Sequence, residues 1–214
     1  MESDASATDR VRAVRSLLYC GMIAGPFYLT VGLIQAFLRE GFDLARHPLS
    51  VLANGPGGWV QTANFVVTGL LVLTAAAGFR RVLGKQSRGV TWFLGGFGVA
   101  MIVAAIFPAD PVDGFPPGTP EGFPTSISTT GLVHFIAGAF GFTCLAISCF
   151  FAAWGMYRRN VSSLALLSLL SGLAVVFGFF GGIVLPVGIL GIWLAVVVGW
   201  AWLGVMSLRL SRMA

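Results

Sequence analysis

Four side chains in this sequence have the types that do chemistry, and each sits in or beside a connection between apolar runs: His47, Asp110, Asp113 and His134. Two imidazoles and two carboxylates are a sufficient donor set for Zn²⁺ or another divalent ion, and equally for the general acid and base of an outward-facing hydrolase. The same residues admit two other uses. Arg46 can pair with Asp110 or Asp113 while both histidines hydrogen-bond to loop backbone and hold the loops down, since half-buried charges at a membrane are tolerated when paired. Alternatively they orient a lipid headgroup or small polar molecule in a pocket, with Ser50, Gln61 and Asn64 as further polar candidates. The spacing contains neither HExxH nor a Cys/His pair, and Ser50 has no GxSxG frame, so no motif selects the metal or hydrolase use. Asp110-Pro111-Val112-Asp113-Gly114 lacks the alternating ligands and terminal Glu of a calcium loop and reads as a turn.

What must position these residues is a membrane bundle. Of the 214 residues 57% are hydrophobic and only 10% charged, against about 25% charged in soluble domains, and the mean hydropathy is +0.89. Six runs reach the roughly 20 apolar residues that a bilayer crossing needs: Leu17 to Leu38, Trp59 to Phe79, Val90 to Phe107, Thr129 to Trp154, Val161 to Leu185 and Val187 to Leu208. The expectation is an all-α membrane protein, a six-helix transmembrane bundle over residues 17–208 with a polar N-terminus 1–16 and a tail 209–214. The first run exceeds the apolar core of about 7–15 residues in a signal peptide and is read as a retained span. Cys20, Cys144 and Cys149 all fall inside apolar runs, which points to small buried hydrophobes and to no disulfide framework.

The longest polar interruption is 107–134, which carries six of the ten prolines and three of the eight acidic residues. Its prolines preclude regular helix from Pro108 to Pro124, and Ser126, Ser128, Thr129 and Thr130 are candidate caps for the fourth helix. The other long connection, 39–58, predicts a short helix from Pro48 to Asn54 lying along the membrane surface. Gly25-Pro26 predicts a kink in the first span, and the glycines of the third and fifth spans predict close helix contact.

The net charge of +5 resides mostly at span ends, which excludes nucleic-acid binding as its reason. With both termini cytoplasmic, eleven of the thirteen basic residues lie inside, all but Arg39 and Arg46, in agreement with the positive-inside rule. Both long connections then share the outer face with Gln35, Gln61 and Asn64, and His134 lies roughly 8 Å below the start of its helix. The composition implies no resident cofactor, leaves a divalent metal as the alternative, and makes the bilayer and a lipid or small molecule the expected partners.

His47-Pro48-Leu49-Ser50, Gly58-Trp59, Asn64-Phe65, Phe107-Pro108-Ala109-Asp110-Pro111 and Gly131-Leu132-Val133-His134 together resemble the bacterial and archaeal integral-membrane family known as domain of unknown function 998. The resemblance spans roughly residues 17 to 205 and implies six helices and a plasma-membrane location, with His47, Asp110 and His134 in the family pattern. It implies no activity. The topology is testable: a reporter fused to the C-terminus should read cytoplasmic and one inserted after Gly118 extracytoplasmic, and the opposite pattern would overturn the orientation.

Overall fold

The computed structural model describes residues 2–84, 88–122, 124, 126–184 and 188–214; Lys85 and the connection around Pro186 lie outside them. Six α-helices are present: α1 Glu2–Leu38, α2 Trp59–Leu83, α3 Arg88–Ile106, α4 Thr129–Tyr157, α5 Ser162–Val184 and α6 Gly188–Ser211. All six are long and apolar enough to cross a membrane, and the only β pairing among the described residues is the single bridge between Val112 and Phe115. The chain is an all-α multi-pass membrane protein, as its composition predicts.

Local chemistry sets the helix ends. Ser128 is extended and accepts the Gly131 N–H at 3.0 Å, so it is the cap of α4 among the four candidates. Gly84, at φ 72°, stops α2 in a conformation that side-chain-bearing residues rarely adopt. Pro108 cannot donate to the carbonyl four residues back, and α3 ends just before it. Pro26 sits inside α1. Its neighbour Gly25 lets α6 come close, because a Cβ there would lie 2.7 Å from Trp200 Cβ.

Sequential helices pack side by side, and α1 packs on α6 to close a ring. Lipid tails are as apolar as leucine, so helices in a bilayer associate through close contact and not through water exclusion. Glycine supplies that contact twice, backbone to backbone. A Cβ on Gly178 would stand 2.7 Å from Gly191 O where α5 meets α6, and one on Gly69 would stand 2.8 Å from Gly98 O where α2 meets α3. In the half of the ring nearest the termini Phe79, Trp202, Leu203, Met206 and Leu210 are wholly buried, and Trp202 Nε1 donates to Ser168 Oγ at 2.9 Å. Arg15 donates to Ser211 O and Arg159 to Leu83 O, tying helix ends together there.

The segment after Pro48 differs from expectation. It is a 3-10 helix, Leu49–Ala53, and Leu49, Val51 and Leu52 are buried. It packs these side chains against α1 and α2, a burial that a reading as a surface helix does not announce. The cause is a fit the local pattern does not carry: Gly32 of α1 leaves room for Leu49, whose Cδ1 stands where a Cβ at position 32 would be 2.6 Å away. Gly191→Leu should force α5 and α6 apart and cost about 1–3 kcal/mol, as overpacking does; a lowered melting temperature in detergent is the expected readout, and an unchanged one would contradict the contact.

Candidate functional site

The two long connections meet over one end of the ring and interlock. Asp113 adopts φ 53° in the turn Val112–Phe115, a left-handed conformation that Asp tolerates better than most residues. The turn aims its carbonyl at His47 Nε2, 3.0 Å away. His47 Nδ1 accepts the Asp43 N–H at 2.9 Å, so Nε2 must carry the proton and donate. Both ring nitrogens of His47 are thereby committed. Arg46 donates to both oxygens of Asp113, at 2.9 and 2.7 Å, and also to Glu121. Phe115 is fully buried, edge-on to Phe42 and beneath the Arg39 guanidinium, which itself donates to Leu52 O and Asn54 O. Asn54 Nδ2 donates to Ala109 O and Trp193 Nε1 of α6 to Leu44 O, each at 3.0 Å.

Asp110 and His134 form a second arrangement at the α3–α4 corner. The Asp110 carboxylate accepts from Ser128 N and Ser128 Oγ, and it lies against the Cα of Gly131, where any Cβ would collide with it. One turn further, His134 Nδ1 stands 2.8 Å from Phe107 O and 3.2 Å from Ala104 O. Two carbonyls can only accept, so Nδ1 carries the proton and Nε2 keeps its lone pair. The two histidines are thus opposite tautomers.

The four chemistry-bearing residues therefore separate into two structural pairs. No group of three or more His, Cys, Asp or Glu among the described residues is placed to hold a metal ion. Gln61 and Asn64 also have a use the sequence does not announce. Gln35 Nε2 donates to Gln61 Oε1 at 2.9 Å, Asn64 Nδ2 donates to Gln61 Oε1 and Tyr28 O, and Thr68 donates to Asn64 Oδ1, a buried ladder joining α1 to α2.

Under the loops the ring holds a cavity of about 340 Å³ with lining residues from all six helices. Its body is hydrocarbon and aromatic, including Phe65, Phe97, Phe142, Phe179 and Trp200; Ser50, Asp110 and His134 bring polar atoms to the loop end. His47, Gln61, Asn64 and Asp113 do not line it. The expectation of a polar pocket is corrected on this point: most of the polar residues at this end are spent on interhelical and loop bonds, and what they enclose is apolar. Its exposed lining residues are Pro124 and Ile127 in the loop before α4, Phe135 on α4 and Ile183 on α5. The aromatic lining and the Arg46–Glu121 pair are absent from the reading of the sequence. Gly131 figures there only as the first residue of the Gly131–His134 motif, without the role that its contact with Asp110 gives it.

The family model described as protein of unknown function (DUF998) matches residues 22–209. The chain belongs to this family. No curated protein and no solved structure matches it. Within the family-matched region lie both corners just described, so the Phe107–Pro111 and Gly131–His134 motifs acquire a physical meaning as one joint.

Arg46, then the Gly122 N–H, hold the Asp113 carboxyl down from its ordinary 3.8 to about 2. A carboxylate depressed in the folded state contributes fully above its unfolded value and loses that contribution as pH falls through the folded one. The loop clasp should therefore resist limited proteolysis at pH 5, weaken below 3.8 and release near pH 2. Arg46→Gln should raise the pH of release; coincident release curves would contradict the assignment.

Proposed function

We propose that the protein binds a single apolar chain, that of a lipid or lipid-like small molecule, inside the helix ring with its polar end at Ser50, Asp110 and His134, and that it serves as a transporter or accessory protein for that molecule. The observation that carries this reading is the cavity: an apolar volume of about 340 Å³, at the small end of the roughly 300–1,000 Å³ typical of ligand pockets, with polar groups at one end only. That size suits one hydrocarbon chain better than two. The exposed lining on α4 and α5 supplies an approach from the bilayer itself. We further assign the protein to the cell membrane with the loop end outside, a reading supported by the arginines clustered at the opposite helix ends, Arg80, Arg81, Arg158, Arg159 and Arg209.

Gly138 provides the test. It lines the cavity, and a Cβ there would meet only Phe179 Cζ at 3.8 Å, an ordinary contact. A larger side chain would enter the cavity without displacing a helix. Native mass spectrometry of the protein purified in mild detergent should find a retained single-chain amphiphile, and Gly138→Phe should reduce its occupancy by about tenfold while the melting temperature holds. Equal occupancy in the two proteins would refute the cavity as the binding place.

A further inference from the structure

The polar end of the cavity is chemically one-sided. No Lys or Arg lines it among the described residues. The two arginines at this end of the molecule are engaged elsewhere, Arg39 with the carbonyls of Leu52 and Asn54, and Arg46 with Asp113 and Glu121. Trp193 also lines the cavity, but its N–H is spent on Leu44 O. What remains is weighted toward acceptors, with only the hydroxyls of Ser50 and Tyr28 among the lining side chains able to donate as well as accept. The Asp110 carboxylate takes two hydrogen bonds from Ser128 and retains lone pairs, since an ionised carboxyl has about four acceptor sites. His134 spends its one proton on Phe107 O and Ala104 O, which leaves Nε2 as an unprotonated acceptor with no hydrogen-bond partner among the described residues. Ser50 can accept or donate.

We infer that the cavity selects an amphiphile whose polar end is an uncharged or cationic hydrogen-bond donor, a long-chain alcohol or amine, and rejects chains ending in phosphate or carboxylate. This rests on the cavity being a binding site, as proposed above. A donor at this end satisfies His134 Nε2 and Asp110 together. An anion there meets Asp110 with no cation to offset the repulsion, in surroundings where hydrocarbon walls weaken screening. Like charges brought together in this way are a common device for excluding the wrong partner.

The test uses the full chain in detergent and four amphiphiles of matched chain length, ending in alcohol, amine, carboxylate and phosphate monoester, competed at equal concentration and read by native mass spectrometry. The amine and the alcohol should be retained on the order of a hundredfold over the phosphate, with the amine ahead. Asp110→Asn should erase the amine's lead over the alcohol. His134→Asn is the sharper variant: its amide N–H falls where Nδ1–H was and can still serve Phe107 O and Ala104 O, while the acceptor at Nε2 disappears. That variant should keep its melting temperature and lose most of the alcohol's advantage over the phosphate. Retention of the phosphate or carboxylate chain at or above the alcohol would overturn this inference and leave the binding cavity standing. Retention of none of the four would remove the cavity reading and this inference together.

Discussion

Everything at the loop end of the molecule depends on how two backbone carbonyls of α3 find a donor. Where the helix stops, Ala104 O and Phe107 O would in a continuing helix be paired with the N–H groups of residues 108 and 111, and both positions are proline. Orphan carbonyls inside a membrane protein are costly, because no water reaches them. One imidazole N–H from α4 serves both. That bond holds the end of α3 against α4 and fixes where Asp110 emerges. Asp110 in turn caps α4 through Ser128 and leaves room for itself only because residue 131 has no side chain. Helix end, loop start and helix start are one joint.

Meeting so many polar demands internally is what allows an apolar chamber to exist beside them. Gln35, Gln61, Asn64 and Thr68 bond to one another between α1 and α2, with Gln35 Oε1 and Gln61 Nε2 left over among the described residues, while His47, Arg46 and Asp113 hold the loops together. Their hydrogen-bonding capacity is turned away from the cavity. The side chains left facing it with capacity to spare are few: one edge of His134, part of the Asp110 carboxylate, and the hydroxyls of Ser50 and Tyr28. The chemistry of the chamber is then a residue of structural requirements, and its selectivity follows from which atoms the structure does not use.

Much of the frame was legible because membrane spans obey a length rule and their flanks a charge rule, neither of which needs tertiary information. Ser128 was legible as a cap, since an N-cap is a local event of three residues. The pairing of Arg46 with Asp113 could be anticipated from topology, which brings the two loops to the same end. The cavity could not. Its walls are Phe97, Ala100, Phe142 and Phe179, and in a helix bathed in hydrocarbon such residues look alike whether they face lipid, a neighbour or an empty volume. Helical periodicity is muted when both faces are apolar, so the inward side of α3 or α5 carries no mark. Gln61 and Asn64, three residues apart, were visible as polar candidates at the outer side, yet their partner Gln35 lies on another helix, and spacing along one chain does not say which helix they meet.

The closing contact of the ring has a consequence in time. Trp200 packs where Gly25 leaves space, and the same indole forms part of the cavity wall with Tyr28 of the first helix. Helices α1 and α6 are therefore the two that must meet to complete the chamber, and α6 is synthesised well after α1. Until α6 enters the membrane, the groove at Gly25 and the side of Tyr28 that meets Trp200 are uncovered, although Phe65 of α2 already packs on Tyr28, and the five preceding helices form an open arc along their inner side. Whatever the protein holds, its compartment forms only when α6 is in place, and the lipids standing in that arc must leave or be enclosed as it shuts.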